Sequence, residues 1–208
     1  MSADKTSFLD AIAGRRSIYA LAKESPIPDA RIVELVQHAV THAPSPFNAQ
    51  SARAVVLLRG EHDKYWDLAA ESARGAFPPP VFESLKERLA GYKGGYGTVL
   101  WFEDQARFAA IEEQLGPQRW AAVKDSMPQW SEHSTGMHQY AVWTALAAEG
   151  LGCNLQHYGP LTQLKVQEEW KVPVDWTLKA QLVFGKPVGP PREKTFLPVE
   201  ERVIVHES

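Results

Sequence analysis

Ala43-Pro44-Ser45-Pro46-Phe47-Asn48-Ala49-Gln50 and Gly14-Arg15-Arg16-Ser17 are the two segments that reveal most about the class of this protein. Each follows a short amphipathic stretch typical of a helix, and neither has the apolar pattern of a core element. The second segment offers two guanidinium groups and a hydroxyl, which are groups that bind a phosphate. Asn48 and Gln50 carry amides that can hydrogen-bond the polar edge of a flat heterocycle. Together the two segments predict a phosphorylated, aromatic cofactor.

Helical and extended patterns alternate along the chain on both sides of these segments. A first helix, capped by Thr6, is predicted to end at Gly14, and a second to run from 28 to about 41. Further helices are predicted over about 63–74, 81–92, 104–115, near 120, 131–149 and 161–170, and strands over 53–58, 98–102, 153–156, 176–184 and 202–205. Because helices separate the strands, we expect an α/β or α+β class around one central sheet.

Composition sets limits on the partners and the location. The 208 residues suit a single domain spanning 1–208. A formal net charge of −3 argues against a nucleic-acid partner held by phosphate neutralisation. No apolar stretch reaches membrane-spanning length, and the first five residues are polar. We therefore expect a cytoplasmic protein with neither a nucleic-acid nor a membrane partner.

Metal chemistry finds little support in the sequence. The single cysteine, Cys153, excludes an internal disulfide and a multi-cysteine metal site, and its apolar neighbours indicate a buried side chain. His157 has no neighbours at metal-ligand spacing, so no metal site is predicted. Neither a Gly-x-Gly-x-x-Gly turn nor a P-loop nor a Gly-x-Ser-x-Gly elbow is present, which leaves dinucleotide-fold and hydrolase assignments without support.

A second cationic segment strengthens the phosphate prediction. Two arginines after a helix are by themselves most often a solvated surface patch. Lys186, Arg192 and Lys194, however, lie in a Pro/Gly-rich segment after the last core strand and could complete a phosphate site with Arg15 and Arg16. The spacing alone does not establish that the two ends of the chain meet.

The order of these motifs resembles that of the FMN-dependent nitroreductase family, in which an Arg-x-Ser element precedes a Pro-Ser-x-x-Asn-x-Gln element. Trp130-x-x-x-Ser134-Thr135-Gly136-Met137, the run 143–150 and Gln156-His157-Tyr158 are similar to a small single-domain bacterial and fungal subgroup. The resemblance spans about 8–205. It implies an α+β fold with a mainly antiparallel sheet flanked by helices, and a homodimer in which the C-terminal arm is exchanged. Pro46 stands where many relatives have a second Ser, and no role is assigned to it.

The resemblance also implies a function. It predicts an FMN-dependent oxidoreductase that takes hydride from NADH or NADPH and reduces nitroaromatics or quinones by a ping-pong mechanism. Flavin N5 would carry the chemistry, so no catalytic side chain is predicted. The residues expected to bind the cofactor are Arg15, Arg16, Ser17, Pro44, Ser45, Asn48, Gln50, Gln156, His157, Lys186 and Lys194. Those expected to line the substrate pocket are Phe47, Tyr96 and Tyr158, with Phe77 a further candidate.

Other interpretations stay open at this point. A cofactor site indicates binding and not turnover, so a non-catalytic flavin-binding regulator in stress or lipid signalling is the main alternative. Family relatives that dehalogenate, dehydrogenate or fragment the flavin form a third class. The Pro-rich stretch 76–80 is equally compatible with a plain connection and with a mobile lid.

Overall fold

The structure is a computed structural model and describes residues 7–207. The elements in this range are α1 (Phe8–Gly14), β1 (Leu21–Ala22), α2 (Asp29–His42), β2 (Ala52–Leu58), α3 (Gly60–Ala76), α4 (Pro79–Lys93), β3 (Gly97–Asp104), α5 (Arg107–Val123), α6 (Met127–Ala148), β4 (Gly152–Gln156), α7 (Gly159–Trp170) and β5 (Trp176–Pro187). Two short 3-10 turns, Pro46–Asn48 and Val199–Glu201, complete the set. Thr6, the predicted cap of α1, lies outside the described residues, and within them the Ser7 hydroxyl caps this helix.

All strand pairs in the sheet are antiparallel. The order is β1-β5-β3-β2, and β4 also pairs with β5, so that β5 contacts three strands. β4 pairs with β5 from Gly152 opposite Gly185 to Gln156 opposite Gln181, and β1 pairs with the last two residues of β5. An antiparallel sheet flanked by helices confirms the α+β class.

The strand β3 shows how the sheet builds two cores. Successive strand residues point to opposite faces. Leu100 and Phe102 join the core formed with α3, α4 and α7. Val99 and Trp101 join the core formed with α2 and α6. Helices therefore cover both faces of the sheet, and every residue of β3 is buried.

Two features of the secondary structure differ from the predictions. The strand predicted over 202–205 does not form, and this segment is exposed without a strand partner in the described part of the chain. The short strand β1 was not predicted, because two residues carry no periodic signal. The two helices predicted over 104–115 and near 120 are both present, on either side of a break at Gly116, where φ is 73°, and together they make up α5.

The Pro-rich stretch is a short connection between two helices. α3 ends at Ala76 and α4 begins at Pro79, so only Phe77 and Pro78 lie between them. Proline suits the first turn of a helix because its missing N–H would have no intrahelical acceptor there. Phe77 packs against the core formed with α3, α4 and α7.

Candidate cofactor site

The two ends of the chain meet around one pocket. A pocket of about 260 Å³ is lined by Arg15, Arg16, Ser17, Tyr19, Arg192, Glu193 and Lys194. The Arg16 guanidinium donates a hydrogen bond to the carbonyl of Arg192, which joins the two segments directly. Ser17 forms a parallel bridge with Cys153, so the N-terminal segment is anchored on β4. The structure thus brings Arg15, Arg16, Ser17 and Lys194 together.

The lining of this pocket is strongly cationic. None of its four cations, Arg15, Arg16, Arg192 and Lys194, is ion-paired with a carboxylate within residues 7–207. The Arg15 guanidinium lies 4.4 Å from the ring centroid of Trp143, and its Nε is buried without a partner among the described residues. A buried donor without an acceptor is costly, so the pocket suits a multiply charged anion.

A second pocket adjoins the first. It has a volume of about 350 Å³ and is lined by Tyr19, Glu87, Arg88, Gly91, Tyr92 and Arg192. Tyr19 and Arg192 line both pockets, and the Arg192 guanidinium lies 4.8 Å from the Tyr19 ring centroid. Two guanidinium groups beside two phenol rings can hold a planar group that carries negative charge.

Arg88, Tyr92 and Tyr19 were not among the predicted site residues. The sequence does contain one indication of this group, because Arg88 and Tyr92 are four residues apart in α4 and therefore share one helix face. Burial raises the pKa of Tyr92 to about 12, and it also raises the pKa of Tyr158, whose ring centroid lies 6.1 Å from that of Tyr92. Both phenols therefore keep their proton to a higher pH than an ordinary tyrosine does.

The turn after β4 is held by amide side chains. Gln156 is half-buried, and its Nε2 donates to Asn154 Oδ1 at 2.9 Å. The backbone N–H of Tyr158 donates to Gln181 Oε1 at 2.6 Å. His157 lies between them and is exposed. The backbone of this turn therefore has a defined orientation, as a cofactor contact would require.

The loop at 44–50 has an unusual backbone. Phe47, Asn48 and Gln50 all adopt positive φ, at 52°, 54° and 49°. Residues other than glycine rarely adopt this region, and strained conformations of this kind cluster at functional sites. The Ser45 hydroxyl accepts a hydrogen bond from the Gln50 backbone N–H at 3.0 Å and so closes the loop. Pro44 is exposed beside it.

This loop does not line either pocket in the single chain. The Asn48 and Gln50 side chains are exposed, and the Phe47 ring lies 6.2 Å from that of Trp130 at the beginning of α6. Behind it lies a third, smaller core that includes Ile111 and Met127. The cofactor roles predicted for Pro44, Ser45, Asn48 and Gln50 stay predictions.

Two predicted site residues lie elsewhere. The Lys186 ammonium forms an ion pair with Glu24 at 2.7 Å. The Tyr96 hydroxyl donates to Asp29 and accepts from Arg59 Nε at 2.9 Å, so that it joins α2 to the turn before α3. Neither side chain lines the two pockets, and their predicted roles stay predictions.

Residues 7–207 contain no group of three His, Cys, Asp or Glu side chains that could hold a metal ion. Within the same range, every helix is too short or too polar to cross a bilayer. Burial raises the pKa of the Cys153 thiol well above its usual value, so this cysteine is a core residue without thiolate character.

Known proteins share this architecture. The model of the nitroreductase family matches residues 12–186. The nitroreductase FRM2 of Saccharomyces cerevisiae is 33% identical over 195 residues, which cover 92% of this chain and 93% of FRM2. The nitroreductase CinD from Lactococcus lactis, solved in complex with chloramphenicol, is 38% identical with a TM-score of 0.86 over 97% of this chain and 100% of CinD. CinD is also solved in complex with 4-nitrophenol.

A more distant structure shares the fold alone. A protein from Desulfovibrio desulfuricans, solved in complex with FMN, is 18% identical and has a TM-score of 0.69 over 96% of each chain. The family match covers most of the present chain, and the yeast and Lactococcus relatives cover nearly all of it. This chain belongs to the nitroreductase family, and its activity is that of a nitroreductase-type oxidoreductase.

Proposed function

We propose that this oxidoreductase uses FMN, takes electrons from NADH or NADPH, and passes them to nitroaromatics or quinones. The observation that carries the proposal is the meeting of Arg15, Arg16 and Ser17 with Arg192 and Lys194 around one pocket. These groups come from opposite ends of the chain, and their chemistry matches a phosphate dianion.

The donor set fits the cofactor. Three guanidinium groups and one ammonium would offset the phosphate charge, and the Ser17 hydroxyl would add a neutral hydrogen bond. The buried Arg15 Nε would gain an acceptor. When bound, FMN would supply a ring that accepts and returns hydride at N5. The protein's part is to bind, orient and shield that ring.

The adjoining pocket is the proposed place for the ring end of the cofactor. Tyr19 and Tyr92 present aromatic surface, and Arg88 and Arg192 favour negative charge on a bound ring. The turn 156–158 would present the His157 backbone N–H from the end of β4, since the Tyr158 N–H already donates to Gln181. Arg88 is therefore the cation that we assign to the ring, in addition to the cations assigned to the phosphate.

The substrates proposed for this site are flat and electron-poor. Nitroaromatic compounds such as the chloramphenicol and 4-nitrophenol bound to CinD suit stacking against aromatic side chains. We propose that NAD(P)H and the acceptor occupy the same pocket in turn, which gives ping-pong kinetics. The exposed Phe47 and the half-buried Tyr96 and Tyr158 keep their proposed roles as contacts for these ligands. A cytoplasmic location is proposed because NAD(P)H is available there.

A homodimer would complete the site. The tail carries large apolar side chains that are 59–79% exposed, namely Phe196, Leu197, Val199, Val203, Ile204 and Val205. The sheet edge at β2 adjoins an apolar groove of about 450 Å³ between α2 and β2. We propose that the tail of each protomer lies against its partner, and that the loop at 44–50 reaches the partner's cofactor.

The absorbance spectrum of the purified protein tests the proposal. We expect a yellow protein whose flavin bands bleach when NADH or NADPH is added without oxygen, and recover when a nitroaromatic or quinone follows. A colourless protein that takes up no added FMN would contradict the proposal. FMN binding without turnover of any acceptor would instead favour the flavin-binding regulator.

A further inference from the structure

Asn154 occupies a position where an amide is unusual. It lies in the middle of β4, is fully buried, and faces Val183 across the sheet. Its neighbours Cys153 and Leu155 pack into the core formed with α2 and α6. Asparagine is depleted in strands, and a buried amide is tolerated only where its polar atoms are hydrogen-bonded.

Both ends of this amide make hydrogen bonds. Asn154 Nδ2 donates to the carbonyl of Ile18 at 2.9 Å, and Asn154 Oδ1 accepts from Gln156 Nε2 at 2.9 Å. The side chain therefore connects two segments that are far apart in sequence.

In the proposed function, one of these segments binds the phosphate and the other presents a backbone N–H to the ring. Ile18 directly follows the phosphate-binding segment 15–17, and its backbone N–H also donates to the carbonyl of Cys153 at 2.8 Å. Gln156 begins the turn 156–158, whose other end is held by the buried Gln181. Asn154 thus hydrogen-bonds the backbone next to the phosphate-binding segment on one side and Gln156 at the start of the turn on the other.

We propose that Asn154 is a positioning residue that holds the phosphate-binding segment and the turn after β4 at a fixed separation. This inference rests on the proposed function, in which FMN spans both segments. A ligand that contacts two segments gains full affinity only when both are already in place. A ligand that contacts only the ring end does not depend on that separation.

A comparison of two ligands isolates this effect. Riboflavin has the ring and side chain of FMN but lacks the phosphate. In wild-type protein we expect FMN to bind more tightly than riboflavin in a fluorescence titration. In Asn154→Leu, the preference for FMN over riboflavin should fall about tenfold, because the hydrogen bonds that fix the two segments relative to each other are lost. Riboflavin affinity should change by less than about twofold. If Asn154→Leu does not fold, Asn154→Ser is measured in the same way with the same expectation.

Thr98→Val is the matched control. Thr98 Oγ1 is also a buried hydrogen-bond centre, in contact with His62 Nδ1 at 2.8 Å and Trp66 Nε1 at 3.0 Å, but it lines neither pocket. We expect a lowered Tm and an unchanged FMN-to-riboflavin ratio. An equal loss for both ligands in the Asn154 variant, or an unchanged ratio, would overturn the positioning role. A wild-type protein that binds neither ligand would overturn the proposed function itself.

Discussion

At the scale of single residues, the candidate site is notable for cations without counter-ions. Elsewhere on the surface, cations such as Lys23 and Lys93 form ion pairs with Asp63 and Asp67 at 2.5 and 2.6 Å. Exposed pairs of this kind contribute little to stability. The cations around the phosphate pocket have no such carboxylate partners within residues 7–207, so their charge is available to a ligand.

Arg15→Ala and Lys194→Ala test the phosphate pocket. Each removes one cation, and a hydrogen bond to a charged group contributes about 1.5–3 kcal/mol, so FMN affinity should fall about tenfold or more in each variant. Lys86→Ala removes an exposed lysine of α4 that pairs with Glu83 at 3.5 Å, and it serves as the control. Calorimetric titration with FMN measures the effect. Unchanged affinity in both pocket variants would place the phosphate elsewhere.

His62 makes stability depend on pH. Burial lowers its pKa from 6.5 to about 4. Between pH 6.5 and 4 the unfolded state binds more protons than the folded state. The free energy of unfolding is therefore at its full value above pH 6.5 and decreases as the pH falls towards 4. The loss amounts to about 3 kcal/mol at most. Urea unfolding at several pH values should show this slope, which His62→Gln should reduce. An identical slope in both proteins would contradict the assignment.

At the scale of elements, α5 shows how a single glycine shapes a helix. Gly116 has φ 73° and ψ 165°, a conformation essentially restricted to glycine, and Pro117 then begins the second half of the element. The break turns the chain so that Leu115 and Trp120 pack in the third core, next to the loop at 44–50.

Gly116→Ala should therefore destabilise the protein although there is space for a methyl group. A Cβ at this position would meet no atom within 4 Å, so the cost arises from the backbone alone. We expect a loss of about 1–3 kcal/mol in the free energy of unfolding. Gly75→Ala, in the helical α3 with equal space, should instead stabilise by about 0.5–1 kcal/mol. Chemical unfolding of both variants measures the contrast, and equal effects would exclude a backbone origin.

At the scale of the whole molecule, apolar surface is distributed unevenly. The two cores on either face of the sheet are closed by helices, but the tail beyond residue 190 is exposed throughout the described range. Helix α6 has both buried and exposed apolar side chains: Val142 and Leu146 are buried, while Met137 and Tyr140 are 42% and 39% exposed. Exposed apolar side chains in such number commonly mark a protein interface.

Ile204→Asp tests whether a second copy covers the tail. Ile204 is 79% exposed in the single chain, so the substitution should be harmless to a monomer but should weaken a dimer that buries this side chain. Leu164→Asp, at an 80% exposed position in α7, is the control. Light scattering after size exclusion should show a dimer for wild type and Leu164→Asp, and a shift towards monomer for Ile204→Asp. A dimeric Ile204→Asp would exclude this role for the tail.

The helices, the four longer strands and the family could all be predicted from the sequence, because periodicity and motif order are local properties of the chain. The sequence also identified Arg15, Arg16, Ser17 and Lys194 as candidates. The pocket shared by residues from both ends of the chain could not be predicted, since it depends on strand pairing across the sheet. The packing of α4 against the sheet brought Arg88 into the same pocket as Arg192, and the bridge between Ser17 and β4 gave Asn154 its hydrogen bond to Ile18. No local pattern reports such contacts, because they join residues that are distant in sequence.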